Sequence, residues 1–202
     1  MSLTSRTQTT LAYAVLVTLA VLVLFPFYWM TITSFKSEDQ MRSLLSMFWP
    51  RPIVIENYGQ LLSKTDFVAW YGNSATVAIC STLLATAVGT IGAYALARLR
   101  FFGRGFLASA TLITYLVPPS ILFIPLYAFT QAWNEFLYAL VFITDGRLRT
   151  LPVGLASFIT GDVYGWGYLM AGAVLTTLPV IAAYIYLQKY MVEGLTAGGV
   201  KG

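Results

Sequence analysis

Charged side chains are missing from four long stretches of the chain, residues 7–35, 67–97, 105–134 and 163–188, which run for 29, 31, 30 and 26 residues. A helix rises 1.5 Å per residue, so about 20 apolar residues cross the hydrocarbon core of a bilayer. Each stretch is long enough to do so. The apolar runs predict membrane spans at about 11–35, 75–99, 106–127, 128–144 and 167–187, with polar connections between most of them. The fold class expected is all-α, a polytopic membrane helical bundle forming a single transmembrane domain over 1–202.

The first span closes on the cluster Phe25, Pro26, Phe27, Tyr28, Trp29, aromatics of the kind that sit at a membrane interface. A cleavable leader has an apolar core of about 7–15 residues followed by a small-residue cleavage site. Neither is seen here, so the run reads as a retained span. Residues 36–73 are neutral in sum, with Lys36, Arg42, Arg51 and Lys64 against Glu38, Asp39, Glu56 and Asp66. Trp49-Pro50-Arg51-Pro52 marks a turn, because each proline fixes φ and biases its predecessor away from helix. Asn73 and Ser74 are suited to cap the second span. Along that span small residues recur every four positions, at Ser81, Ala85, Gly89, Ala93 and Ala97. In lipid, helices associate through close backbone approach along such a face, and the stripe is expected to pack against another helix. Arg98, Arg100 and Arg104 follow without an acid among them. The positive-inside rule makes this loop cytoplasmic, the 36–73 segment external and the N-terminus cytoplasmic.

The region from Phe106 to Thr144 is too long for one span. Pro118, Pro119 and Pro125 interrupt its first part and suit either a static kink or a helix that rocks between states. Gln131, Asn134 and Glu135 punctuate its second part. Between Tyr127 and Ala128 there is no Gly, no turn and no polar loop, although a reversal in lipid leaves backbone groups unsatisfied at several kcal/mol each. The tail carries Lys189 and Lys201 against Glu193, a bias that the visible spans place on the wrong side. The sequence therefore reads as discontinuous at 127/128, with at least one span and a loop absent. The connection 145–166 mixes Asp145, Arg147, Arg149 and Asp162 with glycines and aromatics. The last span holds Pro179 as an expected kink, and the end, Gly194 to Gly202, reads as too Gly-rich for a stable helix.

Composition narrows the chemistry. Apolar residues make up 58% and charged ones 10% of 202, where soluble domains carry about 25% charged residues. There is no His, and Cys80 is the only Cys, which excludes a zinc cluster, a Ser/His/Asp triad and a disulfide framework within the chain. No Gly-rich phosphate loop occurs, so the chain is expected to bind no cofactor and to be no enzyme. The net charge of +4 forms no stripe along which phosphates would lie, and nucleic acid is not an expected partner. Glu135 is the one acid inside an apolar segment. An ionisable group at membrane depth is costly, which makes Glu135 and its neighbour Asn134 candidates for a translocation path. A hydrogen bond to another helix or a place near the interface are the alternatives.

Six segments in order resemble one family. They are PFYWMTITSFK from Pro26 to Lys36, Asn57-Tyr58 followed by Trp70 and Asn73-Ser74, GAYALARLRFFGR from Gly92 to Arg104, LVPPSILFIPLY from Leu116 to Tyr127, AWNEFLYAL from Ala132 to Leu140, and GLTAGGVKG from Gly194 to Gly202. Together they resemble the inner-membrane permease subunits of carbohydrate-uptake ABC transporters of the maltose-permease type. The resemblance implies a type I ABC importer permease fold of six spans in the inner membrane. It implies a second permease subunit, two ATP-binding subunits that hold ATP and Mg, an extracytoplasmic solute-binding protein facing the 145–166 loop, and a tail (Gly194, Leu195, Thr196, Ala197, Gly198, Gly199, Val200, Lys201) that reaches the ATPase. The family's cytoplasmic Glu-Ala-Ala loop, which docks on the ATPase, is absent here, and in family order it belongs at the 127/128 junction. A secondary carrier needs more ionisable residues in its spans and an internal repeat. A non-transporting scaffold would follow from a real deletion of the docking loop.

Overall fold

The computed structural model describes residues 3–43, 48–107, 109, 123–160 and 163–199. In order, its elements are α1 (Leu3–Ser34), α2 (Glu38–Arg42), α3 (Glu56–Lys64), α4 (Phe67–Arg98), α5 (Phe123–Trp133), α6 (Leu137–Phe142), a 3-10 turn (Gly146–Leu148), α7 (Leu151–Ala156), a two-residue hairpin of β1 (Ile159–Thr160) and β2 (Val163–Tyr164), and α8 (Trp166–Gly199). The all-α membrane bundle stands. Among the described residues, Thr7–Ser34, Phe67–Arg98 and Trp166–Lys189 are long and apolar enough to cross a bilayer.

The chain divides into two compact units. The first holds Met1–Thr65 and Ser157–Leu175, the second Asp66–Ala156 and Thr176–Gly202. In the first unit α1 runs through Pro26 without ending. The chain leaves it through Phe35 and Lys36, whose N–H groups donate back to Ile32 O and Thr33 O. Ser37 then caps α2 with a reciprocal Ser37–Gln40 pair, and Gln40 Nε2 donates to Pro52 O at 3.0 Å. The core is small, with Ile32, Leu61 and Ala171 buried.

In the second unit α4 packs along α5, and α7 and the 3-10 turn lie against its N-terminal part. Phe67, Trp70, Ser74 and Ala78 form the buried face, an i, i+3, i+4 series. This corrects the expected start of the second span. Helix α4 begins at Phe67, so Asn73 and Ser74 lie inside it and cap nothing. Further along, Thr82, Thr86 and Thr90 hydroxyls donate to carbonyls four residues earlier at 2.6–2.7 Å, which satisfies them within the helix.

The expected span 128–144 is not one helix. Tyr127 and Ala128 fall within α5, Pro125 belongs to the same helix, and the helix stops at Trp133. α6 resumes at Leu137 for six residues. Of the expected span 106–127, residues 108 and 110–122, with Pro118 and Pro119, lie outside the described residues. The end also differs from expectation. α8 extends through Pro179 and on to Gly199, so the segment from Gly194 to Gly199 is helical despite its glycines, while Val200 and Lys201 lie outside the described residues.

Candidate functional site

Glu135 sits in the break between α5 and α6. Its Oε1 accepts from Tyr138 N–H at 2.7 Å and its Oε2 from Ala139 N–H at 2.9 Å, two of the orphan donors that open α6. The carboxylate thus caps a helix whose N-terminal dipole favours negative charge. Thr150 Oγ1 donates to the Glu135 carbonyl at 3.4 Å. Asn134 is exposed, and its Nδ2 donates to Thr130 O at 2.8 Å. Just before it, Trp133 is 2% exposed, stacks on Phe129, meets Tyr71 edge-on at 5.4 Å, and donates from Nε1 to Thr176 O at 3.1 Å. The polar break is therefore anchored by an aromatic cluster.

On α4, three successive polar groups grip the 145–151 segment. Trp70 Nε1 donates to Gly146 O at 2.7 Å, Asn73 Nδ2 donates to Arg147 O at 2.9 Å and Arg149 O at 3.0 Å, and Ser74 Oγ accepts from Leu151 N–H at 2.8 Å. Asp145 Oδ1 closes the turn from within by accepting from Arg147 N–H, and Arg147 pairs with Asp66 at 3.6 Å on the surface. The indole of Trp70 lies flat on Gly154, where a Cβ would overlap the ring. Sequence reading noticed these α4 residues and missed their task. The one available signal was three polar side chains within five residues of an apolar helix.

The first unit has its own knot. Asn57 Nδ2 donates to Ser34 O at 2.9 Å and Lys36 O at 2.8 Å, the Tyr58 and Ser34 hydroxyls meet at 2.7 Å, and the Tyr58 ring lies 5.3 Å from that of Phe35. Gly167 lets the Asn57 amide approach, since a Cβ there would overlap it. The Lys36 side chain, 4% exposed, lies over the Trp29 ring at 5.0 Å. Burial away from water holds its ammonium below the usual lysine range. Beside the knot is a cleft of about 210 Å³ lined by Ser37, Glu38, Glu56, Gln60 and Tyr168 among others. Tyr168 donates to Gln60, and Gln60 to Glu56.

The stripe Ser81, Ala85, Gly89, Ala93, Ala97 is exposed along its whole length. Among the described residues no group of three His, Cys, Asp or Glu is placed to hold a metal.

No protein-family model matches the chain. Among curated proteins, the inner-membrane ABC transporter permease YcjP of Escherichia coli is 27% identical, covering 94% of this chain and 95% of its own length. The trehalose/maltose transport permease MalG of Thermococcus litoralis is 29% identical over 91% and 94%. The diacetylchitobiose uptake permease DasC of Streptomyces coelicolor is 26% identical over 89% and 92%. Over nearly its whole length the chain is similar to permease subunits of ABC importers. A solved bacterial ABC transporter involved in import of the acidic polysaccharide alginate contains a chain of the same fold, with a TM-score of 0.78 at 17% identity, covering 94% of this chain and 98% of that one. The chain is a multi-pass membrane protein. Its alignments with YcjP and MalG run for 267 and 268 positions, more than its own 202 residues, so each relative carries internal residues without a counterpart here.

Proposed function

We propose that the permease pairs with a second permease subunit to line the path of a sugar or oligosaccharide across the inner membrane. The observation that supports this most is the near end-to-end alignment with MalG and DasC, relatives named for trehalose/maltose and diacetylchitobiose transport. An extracytoplasmic solute-binding protein delivers the sugar to the face that carries the 145–166 loop. Two ATP-binding subunits hold ATP and Mg and supply the hydrolysis that this chain does not perform. The sequence rule that basic loops stay inside places Arg98, Arg100 and Arg104, and the N-terminus, in the cytoplasm. The tail from Gly194 to Lys201 points toward the ATPase on that side. The exposed α4 stripe faces another helix of the assembly.

In this reading Asn134 offers its amide to sugar hydroxyls in the path, and Glu135 holds the break in which Asn134 stands. The segment that the relatives carry and this chain lacks belongs between Tyr127 and Ala128, where it supplies a fourth span and the ATPase-docking loop. Transport is a shift between inward- and outward-facing states, each biased by nucleotide and by the loaded binding protein. In membranes holding the whole complex, sugar-loaded binding protein should raise ATP hydrolysis several-fold over the unloaded protein. Uptake driven by an ion gradient without ATP would overturn the reading.

A further inference from the structure

At its C-terminal end α4 closes into a basic turn that sugar transport leaves without a task. The helix ends at Arg98, Leu99 N–H donates to Ala95 O at 3.0 Å, and the chain reverses through Gly103 at φ +82°. Only glycine enters that region freely. Arg104 N–H donates to Phe101 O at 3.3 Å, Leu107 N–H to Gly103 O at 3.0 Å, and Arg104 Nη2 folds back onto Ala97 O at 3.3 Å. The turn is thus tied at both ends.

Arg104, at the carbonyl end of α4, has an ordinary task in capping it. Arg98 and Arg100 do not share it. Both are exposed, residues 98–107 contain no acid, and among the described residues no Asp or Glu is ion-paired with any of the three arginines. The same turn exposes Phe101, Phe106 and, at 104%, Phe102. Exposed rings beside unneutralised cations, at the end of a 32-residue apolar helix, suit the boundary where acyl chains give way to headgroups.

We propose that Arg98, Arg100 and Arg104 form a headgroup site for an anionic phospholipid, with its acyl chains against Phe101, Phe102 and Phe106. The planar guanidinium presents paired N–H donors that match a phosphate, which a lone ammonium does not. The site binds lipid and is separate from the sugar path.

The whole transporter complex, placed in nanodiscs of mixed phosphatidylglycerol and phosphatidylcholine, is released into native mass spectrometry, and the ratio of retained lipids is read. Phosphatidylglycerol should be enriched over its share of the mixture. Each charge near the surface is worth about fivefold, so Arg98→Gln/Arg100→Gln/Arg104→Gln should cut the enrichment at least about tenfold. Should that triple variant fail to assemble, Arg100→Gln alone should cut it about fivefold, since among the described residues that side chain makes no ion pair. Equal retention of the two lipids by the unaltered complex, or undiminished enrichment in either variant, overturns the proposal. Loss of another subunit from the variant with lipid enrichment intact assigns the turn to an acidic protein surface and overturns it as well.

Discussion

The side-chain amide of Asn57 donates to two carbonyls at once, and the Trp70 indole spans the gap from α4 to a loop 76 residues away in sequence. Each replaces a partner that water would otherwise supply to backbone carbonyls, at a helix end for Asn57 and at a 3-10 turn for Trp70. Both contacts depend on a glycine opposite, Gly167 for Asn57 and Gly154 for Trp70. A methyl group at Gly154 must displace a buried ring held by its own hydrogen bond. Gly154→Ala should therefore cost about 1–3 kcal/mol and lower Tm in detergent. Gly72→Ala, on the same α4 with nothing within 4 Å of the new Cβ, should be neutral or gain up to about 1 kcal/mol. Equal melting of the two variants would show that the indole moves aside at no cost.

At the level of elements, the break between α5 and α6 is where chain geometry meets the proposed sugar path. It arises because Glu135 offers its carboxylate to two N–H groups of α6, an arrangement that competes with continuing α5 through the same residues. The apolar content of 128–144 suggested one span, since hydropathy does not register a side chain that caps a new helix. Glu135→Ala removes both acceptors and should destabilise the complex by about 2–3 kcal/mol, whereas Glu135→Gln keeps one oxygen and should cost about 1 kcal/mol. Asn134→Ala separates the capping task from the path. Among the described residues its side chain bonds back to Thr130, just before it in the chain. Tm should hardly change, while sugar uptake per assembled complex should fall several-fold. Unchanged uptake in Asn134→Ala would remove that residue from the path.

At the level of the whole molecule, three described helices meet the length and hydropathy of a span, while the alignments with relatives run well beyond 202 positions. α5 runs without interruption across Tyr127 and Ala128, which leaves no loop there from which an ATPase-docking helix can project. The intact mass of the polypeptide purified from its membrane is the simplest check on this. A value several kDa above 22.2 kDa is expected if the fourth span and the docking loop are present in the cell. A mass of 22.2 kDa would make the deletion real, and ATP-coupled transport would be the first property lost.

The amino-acid sequence alone carried the membrane fold class and the resemblance to permeases, through charge-free runs of 26–31 residues and six ordered segments that resemble one family. It located the polar residues that matter, Asn57, Trp70, Asn73, Ser74, Asn134 and Glu135, but not what they bind. Asn73 and Ser74 look like caps in one dimension, since capping residues and loop-gripping residues are the same small polar types. Only packing against Gly146, Arg147, Arg149 and Leu151 shows that they hold a distant loop. The end of α5 at Trp133 was likewise decided by packing, since that ring is buried against Phe129 and Tyr71 and bonds Thr176 O. Local propensity differs by less than about 1 kcal/mol per residue, and a single buried contact or cap outweighs it.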